Sequence, residues 1–122
     1  MTTPPPQSET LVNRRIEQRS SAGLVTWLIL RVAAIMLLVL VPLKVYSGWV
    51  MVGAAPGGRF LARLHSNALV DVLLIAAVAF HALYGARTML IEFGWAKPSR
   101  ALFVITTVIA LLITAAGVYF SL

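Results

Sequence analysis

Residues 101–120 read ALFVITTVIALLITAAGVYF and contain no charged side chain. A helix rises 1.5 Å per residue, so this stretch would span about 30 Å, the thickness of the hydrocarbon core of a bilayer. Two earlier stretches, residues 24–46 and 67–91, are similar in length and apolar character. The sequence therefore predicts three transmembrane helices.

The composition of the whole chain supports the same class of protein. Of its 122 residues, 60% are hydrophobic and 11% are charged, and the mean hydropathy is +0.90. A soluble domain of this size needs more polar surface than that. Because the chain has no cysteine, disulfides, thiolate metal sites and iron–sulfur clusters bound by this chain are excluded. We expect an all-α integral membrane protein.

The polar stretches set the expected boundaries and orientation. We predict a cytoplasmic arm over residues 1–22, of which residues 2–8 are disordered. The predicted helices cover residues 23–47, 67–92 and 101–121. They are joined by an external loop over residues 48–66 and a cytoplasmic loop over residues 93–100. Basic residues cluster in the arm and the second loop (Arg14, Arg15, Arg19, Lys97 and Arg100) and are fewer at the first loop (Lys44, Arg59 and Arg63). Because cytoplasmic segments carry the excess of Lys and Arg, the N-terminus is predicted inside and the C-terminus outside.

Ionisable residues inside the membrane are costly there and call for a partner. Arg31 lies eight residues into the first stretch. It either extends toward the lipid headgroups or faces an anion such as a cofactor carboxylate. Asp71, near the outer end of the second helix, is interpreted as an interfacial acid or as a partner of Arg59 or Arg63.

His81 lies in the segment FHALYG, well inside the second helix. In a soluble core a lone histidine is usually a satisfied polar residue. Within a membrane helix, haem ligation is the better interpretation, because imidazole is a common axial ligand of haem iron. Gly85, one turn later on nearly the same face, would leave room for a flat macrocycle.

The number of histidines adds a constraint on that site. A haem held by two histidines needs imidazoles on opposite sides of one iron. The only other histidine, His65, precedes His81 by sixteen residues, or about 24 Å along a continuous helix. If His81 binds haem, the second ligand is expected from another chain.

The segment FHALYGARTMLIEFG resembles the second-helix signature of the membrane-anchor subunits of succinate dehydrogenase (complex II). That signature is a histidine, a glycine, an arginine, then an acid followed by an aromatic residue, matched here by His81, Gly85, Arg87, Glu92 and Phe93. The segment LILRVAAIMLL is similar to the arginine-containing first helix of those anchors, with Arg31 at the position of the family's arginine. The resemblance covers residues 22–121.

The family contains a cytochrome b anchor and a smaller hydrophobic anchor. The cytochrome b type usually carries a serine and a histidine shortly before its first-helix arginine, and this chain has Trp27 and Leu30 there. The smaller anchor is therefore favoured, although GARTMLIEFG resembles the cytochrome b type equally well. Where the smaller anchor commonly has a quinone-binding tyrosine after the acid, this chain has Phe93, which cannot donate that hydrogen bond.

The resemblance implies a non-catalytic anchor in a multi-subunit helical bundle of a bacterial cytoplasmic (inner) membrane. It would dock the flavoprotein and iron–sulfur subunits and pass electrons from succinate to ubiquinone or menaquinone. It would also share a haem b with a second anchor subunit, with His81 as an axial ligand and Arg31 against a haem propionate. Quinone-site candidates are Glu92, Phe93 and Trp95; Arg87 would contact haem or quinone, or serve only as a basic anchor of the topology.

Two alternatives remain at this point. One is a haem-free structural anchor of a fumarate reductase, in which His81 hydrogen-bonds across helices. The other is a small transporter that uses Asp71 and Glu92. The transporter is disfavoured because these acids lie at opposite helix ends and the sequence contains no internal repeat.

Overall fold

The computed structural model describes residues 6–121, with side chains described for residues 6–17 and 23–121. Its regular structure in that part consists of four α-helices: α1 (Gln7–Met51), α2 (Arg59–His65), α3 (Ala68–Glu92) and α4 (Arg100–Ser121). Three segments are long and apolar enough to cross a membrane: Gly23–Met51, Ala68–Glu92 and Arg100–Ser121. The predicted all-α fold with three membrane-spanning helices is confirmed, and the protein is a multi-pass membrane protein.

Helix α1 begins well before the predicted boundary at residue 23. Its first turn includes Gln7 and Ser8, which the sequence predicted to be disordered; residues 2–5 of that prediction lie outside the described part of the chain. The Thr10 hydroxyl donates to the Gln7 carbonyl, and Glu9 places a negative charge at the positive end of the helix. The arm is helical from Gln7 because no proline or glycine interrupts it before Gly23.

At its other end, α1 continues through Pro42 to Met51, beyond the predicted end at residue 47. Proline removes one backbone hydrogen bond, but ending the helix inside a bilayer would leave several backbone groups without partners. The helix ends where Gly53 adopts a positive φ of 76°. The amides of Ala54 and Ala55 then both donate to the carbonyl oxygen of Trp49.

The short helix α2 lies within the predicted loop 48–66 and packs against α1. Two glycines permit that contact. A Cβ atom on Gly57 would lie 2.7 Å from Cγ2 of Val50, and one on Gly48 would lie 3.0 Å from Cε1 of His65. Both distances are too short for a larger residue without movement, so glycine allows α2 to fold back onto the end of α1.

Helix α3 is the central element and packs against both α1 and α4. It begins at an Asn67 cap, whose side-chain oxygen accepts from the amides of Leu69 and Val70. The buried residues at its two interfaces include the small side chains Ala33, Ala77, Ala79 and Ala110. Small residues allow membrane helices to approach closely.

Polar contacts at the two ends of α3 fix the register of the antiparallel helices. At one end Arg87 of α3 bonds to Thr26 of α1, and at the other end Asp71 of α3 pairs with Lys44 of α1. On the α4 side, the Tyr84 hydroxyl shares a 2.6 Å hydrogen bond with that of Thr107. In this register, His81 lies level with the buried Ala33 of α1 and Ala110 of α4.

Candidate functional site

His81 occupies the middle of α3, ten residues from Asp71 and eleven from Glu92, or about 15 Å from either one along the axis. The residue is half-buried. Its Nδ1 atom is buried and has no hydrogen-bond partner among the described residues. Its Nε2 atom is not among the buried atoms without a partner. A buried ring nitrogen without a partner is unfavourable inside an apolar bundle, so contacts within the described part of the chain leave the polarity of this imidazole unsatisfied.

Gly85 lies one turn after His81 on nearly the same face of α3. A Cβ atom on Gly85 would meet only Cδ2 of Leu30, at 4.0 Å, which is ordinary van der Waals contact. One turn from His81, Gly85 therefore leaves space for the close approach of a flat group or of another helix.

Two observations are compatible with one side of a haem: the His81 Nδ1 has no hydrogen-bond partner among the described residues, and Gly85, one turn away, leaves space beside the helix. The described residues contain no cluster of three or more His, Cys, Asp or Glu side chains that would hold a metal ion.

His65 lies away from His81, as the last residue of α2. Its Nδ1 donates to the carbonyl oxygen of Lys44 over 3.0 Å, because a carbonyl can only accept. The ring lies against Gly48, next to Ser47, whose hydroxyl is 3.5 Å from Nδ1. His65 therefore joins α2 to the end of α1, several helical turns from the level of His81.

Arg31 is exposed on α1, with its guanidinium carbon 4.4 Å from the ring centroid of Trp27. Stacking on an indole holds a cation in place without neutralising it. The charge of Arg31 is therefore presented on the outside of the three-helix unit. The predicted contact with a haem propionate stays a prediction.

Arg87 is a buried cation, with 8% of its surface exposed. Its Nη1 donates to Oγ1 of Thr26 over 3.1 Å, and its guanidinium carbon lies 5.5 Å from the ring centroid of Phe103. Its Nε is buried without a partner among the described residues. Arg87 thus contacts both helices that flank α3; its predicted contact with haem or quinone is not tested.

The three quinone-site candidates lie where α3 ends. Glu92 is the last residue of the helix and is exposed. Gly94, at φ 74°, turns the chain, and the exposed rings of Phe93 and Trp95 lie 5.6 Å apart between centroids. These residues form one exposed rim, separated from His81 by about 16 Å along the axis.

One of the two interpretations of Asp71 is wrong: it does not pair with Arg59 or Arg63, while its interpretation as an interfacial acid stays a prediction. It forms an ion pair with Lys44, because the antiparallel register of α1 and α3 brings these two residues together. The Lys44 ammonium also donates to the carbonyl of His65, at the end of α2. The sequence puts Lys44, Arg59, Arg63 and Asp71 near span ends on one side of the membrane, but it does not select Lys44 as the partner.

Sequence reasoning also missed Tyr84, which is 1% exposed. Its hydroxyl bonds to Thr107, and its ring contacts those of Phe80 and Phe103. This aromatic cluster fixes α4 against α3, one turn from His81.

Comparisons of the chain with known protein families, with curated proteins and with solved structures found no match.

Proposed function

We propose that this chain is a membrane-anchor subunit of a succinate dehydrogenase, which docks the flavoprotein and iron–sulfur subunits and passes electrons from succinate to quinone. The observation that carries the proposal is the imidazole of His81. It lies near the middle of the central membrane-spanning helix α3, half-buried, and its Nδ1 has no hydrogen-bond partner in the described part of the chain. The resemblance of residues 81–93 to the anchor signature supports the same function.

In this proposal His81 provides one axial ligand of a haem b, and a second anchor subunit provides the other. The haem would supply one-electron transfer between its ferric and ferrous states. This chain would contribute the imidazole of His81 and the space beside Gly85. It would also contribute the positive charge of Arg31, which stacks on Trp27, to pair with a propionate. Arg31 is exposed, so its guanidinium is accessible to a partner subunit.

The quinone site is assigned to the rim of Glu92, Phe93 and Trp95, with Arg87 as a further candidate. Exposed aromatic rings at a membrane boundary are available to a soluble partner and to a lipophilic substrate alike. Because Phe93 has no hydroxyl, any hydrogen bond to a quinone carbonyl would come from another residue or subunit. The smaller hydrophobic anchor is favoured over the cytochrome b anchor.

The proposed setting is a bacterial cytoplasmic membrane, with the N-terminus in the cytoplasm and the C-terminus outside. Single cysteines at Ser8 and Ser121 test this orientation, since the chain has no cysteine of its own. We expect a membrane-impermeant thiol reagent, applied to intact cells, to label the cysteine at position 121 and not the one at position 8. The reverse pattern would place the rim of Glu92, Phe93 and Trp95 outside the cell, on the side of the membrane away from the soluble subunits.

The assembly itself is tested by extracting the tagged full chain from its native membrane and identifying what co-purifies. We expect a flavoprotein, an iron–sulfur protein and a second small membrane protein, with succinate-dependent quinone reduction and a haem b spectrum as the pyridine haemochrome. The same subunits without haem would favour the haem-free fumarate reductase anchor. Purification without any redox subunit would exclude both anchors.

A further inference from the structure

We propose that α2 is an interfacial helix that binds the phosphate of an acidic phospholipid headgroup between Arg59 and Arg63. The site lies on the opposite side of the membrane from the rim of Glu92, Phe93 and Trp95. It does not depend on the proposed function, because it uses none of the residues assigned to haem or quinone.

The depth of α2 follows from the helices that flank it. Asp71 and Glu92 are twenty-one residues apart on α3, or about 31 Å along its axis, which matches a hydrocarbon core of about 30 Å. The Lys44–Asp71 pair therefore marks one boundary of that core. The segment between Met51 and Ala68, which contains α2, lies at this boundary among the headgroups.

The position of α2 is fixed by contacts at both of its ends. Gly57, just before the helix, lies against Val50, and His65, its last residue, lies against Gly48 and bonds to the Lys44 carbonyl. The hydroxyl of Tyr46 also donates to the carbonyl of Pro56 over 2.7 Å. The arginines of α2 are thus presented from a fixed support rather than from a loose loop.

The charge of α2 is not compensated within the part of the chain that the structure describes. Neither Arg59 nor Arg63 forms an ion pair there, and Asp71, the acid nearest in sequence, is engaged by Lys44. The other acids of the chain (Glu9, Glu17 and Glu92) lie at the opposite end of the spans. Two exposed cations at a bilayer surface, without an internal counter-ion, attract anionic lipids.

The two arginines also have suitable geometry for a phosphate. They are four residues apart, so both side chains lie on the same face of α2. The surface between them is shallow and open, and is lined by Arg59, Ala62, Arg63 and Ser66. Guanidinium groups donate paired hydrogen bonds to phosphate oxygens. On the adjoining face Phe60, 74% exposed, would enter the upper acyl region and hold the helix in the interface.

The test is lipid binding by the full chain purified with its native partners, measured by native mass spectrometry with phosphatidylglycerol or phosphatidylcholine added. We expect wild type to prefer phosphatidylglycerol. At about 1 kcal/mol for each basic residue near a lipid surface, the R59Q/R63Q variant should bind phosphatidylglycerol roughly tenfold or more weakly. The R59K/R63K variant keeps the charge but not the planar fork, so its binding should fall by less.

The matched control is R14Q/R15Q, which removes the same charge from the arm at the other end of the molecule. This control should keep wild-type phosphatidylglycerol binding, and excess inorganic phosphate should not displace the lipid. Equal losses in the two glutamine variants would overturn the proposal, because binding would then reflect net charge alone. Displacement by inorganic phosphate would overturn the proposal in favour of a free-anion site. Unchanged binding by R59Q/R63Q would also overturn it, and would favour a protein partner as the group that covers α2.

Discussion

Nη1 of Arg87 donates a 3.1 Å hydrogen bond to Oγ1 of Thr26, joining the central helix α3 to α1. Both residues are buried, and the same guanidinium lies over the ring of Phe103 on α4. A single arginine therefore contacts both neighbours of its helix at one end of the bundle. A charged group so enclosed depends on the few acceptors it has, because unpaired buried charges are costly.

The first prediction is that Thr26→Val destabilises the chain. Interhelical hydrogen bonds in membrane proteins contribute about 0.6 kcal/mol on average and up to about 1.7, and here the donor is charged. We expect the free energy of unfolding in mixed micelles to fall by about 1–2 kcal/mol. Thr114→Val is the matched control, because that hydroxyl donates within α4, to Ala110. Equal effects of the two substitutions would contradict a special role for the Arg87 contact.

The second prediction concerns the ion pair between Lys44 and Asp71. Replacing one member leaves the other charge uncompensated in a part-buried site, so Lys44→Met and Asp71→Asn should each destabilise the protein. The double variant should lose less stability than the two single losses combined, with a coupling energy of about 1–3 kcal/mol in a double-mutant cycle. Additive losses would mean that each side chain acts through other contacts, such as that of Lys44 with the His65 carbonyl.

The third prediction tests haem ligation by His81. His81→Leu should abolish or strongly reduce haem b in the purified complex without preventing membrane insertion, because leucine makes the span more apolar. The measurement is haem content per complex together with the reduced spectrum. His65→Ala is the control and should leave haem content close to wild type, although it removes the contact between α2 and α1. Unchanged haem in His81→Leu would exclude His81 as a ligand.

The fourth prediction concerns the charge of Arg31. A cation near a haem favours the reduced form, since the ferric form carries one more positive charge. Arg31→Gln should lower the haem midpoint potential by roughly tens of millivolts in a redox titration. Arg31→Lys should restore part of the potential, because it keeps the charge but loses the planar fork.

Trp27→Leu provides the control for Arg31, because it removes the ring on which the guanidinium stacks and leaves the charge. Its midpoint potential should stay closer to wild type than that of Arg31→Gln. If both Arg31 variants titrate like wild type, Arg31 extends to the lipid headgroups instead. It would then position the helix and have no role in electron transfer.

The sequence by itself determined the class of fold and the three membrane spans. Length and hydropathy are local properties of a segment, and a bilayer leaves an apolar stretch of about 20 residues almost no alternative to a helix. The mid-helix depth of His81 follows from the same local arithmetic. The presence of a haem, its partner subunit and the quinone site stay predictions, because each depends on groups outside this chain.

Only the tertiary structure decided which residues meet. Lys44 rather than Arg59 or Arg63 pairs with Asp71 because helix register, which hydropathy does not encode, brings α1 and α3 together at that level. Arg87 is buried for a related reason: its neighbours Thr26 and Phe103 belong to two other helices, far away in the sequence. Contacts of this kind arise from packing between distant segments, so composition and spacing along one helix do not reveal them.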